Sequence, residues 1–200
     1  ARGRRTLRCM GVSRLPFCLA LVAGCAAMPP PEMAAPPRAG QPLVAVDIDG
    51  TLTPNNLAFL EPRDGAAGVL ALYAARGYRV VYLTSRVPGL QSGLPEWLQR
   101  HGFPEGPLHI APSADARADI AHYKTTVLRA YLGLGWRLAF AYGDSTTDFQ
   151  AYAEAGLPPA QVFALKRRGD AQCQPGAWSL CLDDWSDHLP WVRQLVTSSP

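Results

Sequence analysis

Residues 43–54 read LVAVDIDGTLTP, an apolar run that ends in two aspartates one residue apart and is followed by a glycine and two threonines. If the run is a buried parallel strand, side chains at i and i+2 point the same way, so Asp47 and Asp49 face one site. Two like charges at that separation resist joint ionisation, and a bound cation or a chemical task is what lets such a pair persist. Further chemistry-bearing residues follow other apolar runs: Thr84, Ser85 and Arg86 after YRVVYL, and Asp144 and Asp148 in YGDSTTD. Lys124, one of only two lysines in the chain, heads the helical pattern before the run that leads to Asp144.

An oxygen-only cluster of carboxylates suits a hard cation such as Mg2+, which is held by one or two carboxylates plus substrate phosphate and keeps several waters. One carboxylate can attack a phosphoryl group and form an aspartyl phosphate, which splits hydrolysis into two displacements. The acid two residues on can protonate the leaving oxygen and later activate water. A cation, a lysine and hydroxyl donors neutralise the charge on the transferring group. Thr51, Ser85 and Arg86 are the candidates for substrate binding. Arg86 admits two readings, a substrate contact or a surface ion pair.

These residues need a frame that brings separate segments to one edge. Apolar runs at 43–48, 78–83, 108–110, 138–142 and 161–165 read as strands, and helical patterns lie at 65–77, 94–102, 124–135 and 147–156. Strands alternating with helices imply an α/β fold with a doubly wound parallel sheet, in which a site lies beyond the carboxyl ends of the strands. The stretches between the first three motifs leave room for a flap, helices and a short strand, so the fold is capless or carries a minimal cap and its site is open. His101, His109, His122 and His188 lack any partner spacing and read as surface or loop residues, and the tryptophans read as packing.

DIDGTLT, YLTSR, Lys124 and GDSTTD resemble the four motifs of the haloacid dehalogenase superfamily of phosphotransferases. The resemblance implies Asp47 as nucleophile and Asp49 as general acid and base, the latter also offering its backbone carbonyl to Mg2+. It implies Thr84 and Lys124 as ligands of the phosphoryl oxygens, and Asp144 and Asp148 as completing the metal site. Over nearly all of residues 43–192 the chain is also similar to the catalytic domain of lipins, the Mg2+-dependent phosphatidate phosphatases, and to lipid-recognition domains of phosphatidylinositol-transfer proteins. The implied substrate is phosphatidate or another lipid phosphate monoester. Two alternatives are a broad-specificity acid phosphatase or nucleotidase of the cell envelope, and a phosphatidate-binding module without catalysis. Transfer-protein relatives lack acids of the first motif, whereas Asp47 and Asp49 are both present here. Lipins carry asparagine where this chain has Asp144, a departure that bears on lipid specificity.

The chain of 200 residues has room for one domain and a tail. Five arginines without an acid, then LPFCLALVAGC, have the order of a secretory signal whose apolar part is too short to span a membrane. VAGC resembles the lipobox of bacterial lipoproteins, which implies residues 1–24 as a signal peptide and Cys25 as the lipid-bearing residue. The resulting expectation is a cell-envelope lipoprotein, in the outer membrane and facing the periplasm. Residues 25–42, rich in Pro and Ala, read as an extended tether, and residues 43–196 as the phosphatase domain. Of 19 basic residues five precede Cys25, leaving 14 against 16 acidic ones, with no basic stripe to suggest a nucleic-acid partner. Cys173 and Cys181 remain as a pair, and an oxidising compartment would join them.

Overall fold

The computed structural model describes residues 31–197. The signal segment 1–24 and Cys25 therefore lie outside the described residues. Six strands, β1 (Pro42–Asp47), β2 (Arg79–Thr84), β3 (Leu108–Ile110), β4 (Arg137–Gly143), β5 (Val162–Leu165) and β6 (Leu180–Leu182), form one parallel sheet in the order β3-β2-β1-β4-β5-β6. The helices are α1 (Ala66–Ala75), α2 (Leu94–Arg100), α3 (Ala114–Ala118), α4 (Ile120–Gly133), α5 (Thr146–Glu154) and α6 (Trp185–Thr197). Chain order runs outward from β1 to one side, then returns to the other side through β4. The gap between the ends of β1 and β4 is thus the switch point at which such sheets bind ligands.

β1 is buried along nearly its whole length, and its period of two sorts it into both layers. Val44 and Val46 face a core shared with α1, α2 and α6, built around Leu70, Tyr73, Trp97, Tyr142, Phe163 and Trp185. Leu43 and Ala45 face the other layer, where Leu128 and Tyr131 of α4 and Phe149 and Tyr152 of α5 pack. Burying apolar side chains on both faces fixes the sheet and holds its carboxyl edge in place.

Three features differ from the reading of the sequence. β6 and α3 are short and α6 follows the last recognisable strand signal, so none stood out as a periodic segment. α4 begins at Ile120 with Asp119 capping it, through the His122 amide at 3.0 Å, so Lys124 lies one turn inside the helix and does not head it. The expected tether is held from Met33 onward: Met33 packs on the core, Trp136 Nε1 donates to Ala34 O at 2.9 Å, Gly40 N to Gly135 O at 2.9 Å, and Gln41 Nε2 to Gly77 O at 2.9 Å. Those partners sit in the loops before β4 and β2, at the amino edge of the sheet. The chain between the first and second strands holds loops and one helix and no inserted domain.

Cys173 and Cys181 form a disulfide with Cα atoms 5.9 Å apart. It closes the loop that delivers β6 to β5, where Cys181 pairs with Ala164.

His109 and His188 are buried, contrary to their surface reading, because they sit on β3 and on the inner face of α6. His109 Nε2 is 2.9 Å from the Tyr131 hydroxyl. His188 is stacked between Phe163 and Trp191 with no hydrogen-bond partner for either ring nitrogen. Burial pushes both imidazoles down to about 4. As pH falls below about 6.5 the unfolded chain takes up these protons first, so stability drops until about pH 4 and then levels. His188→Phe is expected to flatten that acid limb and to stabilise the protein at pH 5 relative to pH 8 by on the order of 1 kcal/mol. Denaturant unfolding at the two pH values checks it.

Candidate active site

At the carboxyl edge of the sheet, Asp47 is the last residue of β1, and Asp144 follows the last residue of β4. Two glycines allow the approach. Gly50 has φ of 92°, and a Cβ there would lie 2.0 Å from Asp144 Oδ2, so a side chain would both strain the turn and strike the acid. A Cβ on Gly143 would fall 2.6 Å from Asp148 Cβ.

One ammonium group organises the cluster. Lys124 Nζ reaches from α4 to Asp47 Oδ1 and to Asp148 Oδ1, both at 2.5 Å, with all three side chains buried. The second oxygen of Asp148 is used separately: it accepts from the Ser145 hydroxyl at 2.7 Å, Ser145 N at 3.1 Å and Asp144 N at 3.2 Å, as part of the capping box that starts α5. Helix capping therefore fixes the angle at which Asp148 presents its other oxygen to Lys124.

The charges decide protonation. Burial and the neighbouring carboxylates, Asp148 foremost, hold Asp47 well above the usual carboxylate range, against the pull of Lys124. Burial and Asp148 push Asp144 up to about 6 although Arg167 opposes them. Burial also acts to raise Asp148, but the charge and hydrogen bond of Lys124, with Ser145, hold it below its ordinary value. Lys124 is raised because Asp148 and Asp47 outweigh its burial. The cluster as it stands is short of positive charge.

Asp47, Asp144 and Asp148 each bring a carboxylate oxygen within 4.8 Å of the others. Buried, oxygen-only and under-neutralised, the set fits a hard divalent cation. The Asp49 carboxylate is not part of it. Thr84 Oγ1 donates to Asp49 Oδ2 at 2.8 Å, and Arg86 forks onto the same carboxylate, Nη2 to Oδ1 at 2.5 Å and Nε to Oδ1 at 3.1 Å. Arg86 is thus a buried ion-pair partner of the site, not a surface one. Ser85 is half-buried beside it. Thr51 differs from its expected role in substrate contact: it is fully buried and its hydroxyl donates to Asp47 Oδ2 at 3.0 Å, with Asp144 Oδ1 at 3.4 Å, so it orients the acids.

Two arginines escaped the sequence reading. Arg167, in the loop after β5, pairs its Nε with Asp144 Oδ2. Arg63 is buried and donates to the carbonyls of Gly50, Thr53, Pro54, Lys166 and Asp183, at 2.5–3.2 Å. It ties the loop after β1 to the segments after β5 and β6. No local pattern marks such a residue, because its partners are backbone atoms of its own loop and of two distant segments. Trp185 Nε1 adds a further tie, to Thr51 O at 2.9 Å.

Residues 44–166 match the family model described as PITM 1-3, LNS2 domain. Among curated proteins, the chain is 30% identical over 153 residues to phosphatidate phosphatase LPIN3 of Mus musculus, covering 64% of this chain and 18% of that protein. It is 30% identical over 142 residues to membrane-associated phosphatidylinositol transfer protein 3 of Homo sapiens, covering 68% of this chain and 14% of that one. The chain thus spans less than a fifth of either relative. In fold it is similar to the D,D-heptose 1,7-bisphosphate phosphatase of B. bronchiseptica, complexed with magnesium and phosphate, with a TM-score of 0.55 and 18% identity over 78% of this chain and 99% of that one. The cobalt-bound deoxy-D-mannose-octulosonate 8-phosphate phosphatase of Haemophilus influenzae superposes with a TM-score of 0.50 and 16% identity, over 78% of this chain and 90% of that one.

Two substitutions test the charge balance. Lys124→Met leaves Asp47 and Asp148 buried without their shared cation and is expected to cost about 3–5 kcal/mol of stability at pH 7, partly restored by millimolar Mg2+, as read by thermal unfolding with and without the ion. Arg167→Ala removes a competing positive charge from Asp144, so Mg2+ binding measured by calorimetry should tighten about tenfold.

Proposed function

Because the chain belongs to the LNS2 domain family, we propose that it is a Mg2+-dependent phosphomonoester hydrolase that works through an aspartyl phosphate, with phosphatidate or another lipid phosphate as substrate. The observation that carries this reading is Asp47, set at a strand end with one oxygen on Lys124 and the other on Thr51, inside a three-carboxylate cluster. The LPIN3 relative is by name a phosphatidate phosphatase, which supports the substrate class.

Asp47, Asp144 and Asp148 would hold the cation, with the backbone carbonyl of Asp49. When bound, it supplies the positive charge that the cluster lacks and that a phosphoryl group needs. Ionised Asp47 attacks phosphorus through a carboxylate oxygen, and Lys124 and Thr84 neutralise the phosphoryl oxygens. Asp49, having taken a proton from solvent, donates it to the leaving oxygen, then takes one from the water that cleaves the aspartyl phosphate. For that to happen Arg86 must loosen its fork on Asp49, and an arriving phosphate is the group that can draw it away. Arg86 thereby couples substrate arrival to release of the acid. The open edge above the site, free of an inserted cap, suits a phosphate carried at a surface.

The envelope location belongs to the same proposal: attachment through Cys25 to the outer membrane, facing the periplasm. The Cys173–Cys181 disulfide supports an oxidising compartment.

Phosphate release from short-chain phosphatidate, nucleoside monophosphates and an aryl phosphate, with Mg2+ or with chelator, tests the reading. Turnover is expected to be greatest on phosphatidate, lost with chelator, and reduced at least 1,000-fold, roughly, in Asp47→Asn. Preference for the soluble esters would make it a general phosphatase. Binding of phosphatidate without turnover on any ester would make it a recognition module.

A further inference from the structure

The loops that leave β1 and β2 are unlike the site they enclose. From Gly50 to Leu60, and again from Val87 to Pro95, no residue is charged. Within these stretches Leu57 is 89% exposed, Leu60 64%, Val87 52% and Leu90 43%. The other large apolar side chains exposed among the described residues, Leu134, Leu180 and Trp191, stand apart from one another in the chain and in different elements. Exposed apolar groups gathered in adjoining loops mark a surface that meets something apolar.

The two loops are joined to each other and to the site. Arg86, which forks onto Asp49, also donates Nη2 to Phe59 O at 3.2 Å and lies 5.7 Å from the Phe59 ring centre. Trp97 Nε1 donates to Leu60 O at 2.7 Å, and Gln91 Nε2 to Arg86 O at 2.7 Å. The loops that carry Leu57, Leu60, Val87 and Leu90 are therefore tied, through the carbonyls of Phe59 and Arg86, to the arginine that holds the outer acid of the site. Their side chains are left free to contact a partner.

What covers this rim follows from what it borders. With all four carboxylates ionised, as a bound cation would require, Asp47, Asp49, Asp144 and Asp148 bring four negative charges against three positive ones from Lys124, Arg86 and Arg167. A divalent cation turns that balance to one net positive charge, which suits a phosphomonoester dianion. A ligand that meets this centre and the uncharged rim at once must carry a phosphate beside an apolar body. Resting on the phosphatase reading of the site, we infer that the loops 54–60 and 87–90 form a docking rim that inserts its leucines and valine into a bilayer containing lipid phosphate monoesters, seating the headgroup over Asp47. Each apolar side chain sunk into the interface adds to binding, and the buried backbone ties keep the rim from folding over the site.

Two measurements on the full chain test this. Leu57→Trp is mixed with vesicles of phosphatidylcholine and phosphatidate whose acyl chains carry bromine, and its fluorescence is compared with that of the unaltered chain. Extra quenching is expected in the variant, and quenching equal to the unaltered chain overturns the inference, leaving the rim to a protein partner. Leu57→Ser with Val87→Ser, both outside the catalytic set, is expected to lower hydrolysis of phosphatidate in vesicles about tenfold while hydrolysis of a soluble aryl phosphate stays within about twofold. Equal effects on both substrates, or on neither, overturn it. If no ester is hydrolysed at all, the phosphatase reading fails, and the quenching measurement alone still decides whether the rim enters the bilayer.

Discussion

A single buried ammonium group holds the arrangement together. Lys124 stands between Asp47 and Asp148, which come from opposite sides of the switch point, and without it two carboxylates would share a space that excludes water. Taking such charges out of water is costly, and the cost is offset only when each lone pair finds a donor. Hence the surrounding structure reads as a set of donors: the Thr51 hydroxyl for Asp47, the capping box of α5 for Asp148, Arg167 for Asp144, Thr84 and Arg86 for Asp49. The glycines at 50 and 143 are as constrained as the acids, since a methyl group at either would push the carboxylates apart.

The donors arrive from two kinds of support. Some are local, such as Ser145, which caps the helix that carries Asp148 three residues later. Others are long-range, and Arg63 is the clearest case: a buried guanidinium with five carbonyl partners fastens the loop after β1 to two segments more than a hundred residues downstream. The loop bearing Asp49 is thus clamped from outside the motif itself. An open site of this kind has no cap to order its residues, so order must come from ties beneath.

The same distinction explains what could be read from the sequence. The strands 43–48 and 78–83 were legible because buried parallel strands are continuous apolar runs, and the acids were legible because they sit at the ends of those runs. α4 was found one turn late because Asp119 and Ile120, its cap and first residue, do not stand out from the polar stretch before them. β6 has three residues and a mixed face, so its place depends on pairing with β5 and on the disulfide beside it. Arg63 and Arg167 pass unnoticed, and His188 is misplaced, for a common reason. Their environment is made by partners far away in sequence, and residue type alone gives arginine and histidine a surface reading. Thr51 shows the converse, since a hydroxyl within the motif was assigned to the substrate although it is spent on orienting Asp47.

Residues 33–41 are fastened to the loops at the amino edge of the sheet, one strand length away from the acids at the carboxyl edge. β1 has six residues, so the two edges are about 20 Å apart. Should the chain be attached to a membrane through Cys25, seven residues would separate the attachment from Met33, a reach of at most about 29 Å over the eight Cα–Cα steps. The protein would then have a polarity: its foot at one pole and its reactive face at the other. Upright on such a foot it addresses the bilayer opposite, whereas turning over onto its own leaflet draws out most of the reach of residues 26–32. The docked segment would in that way set how much chain each approach consumes.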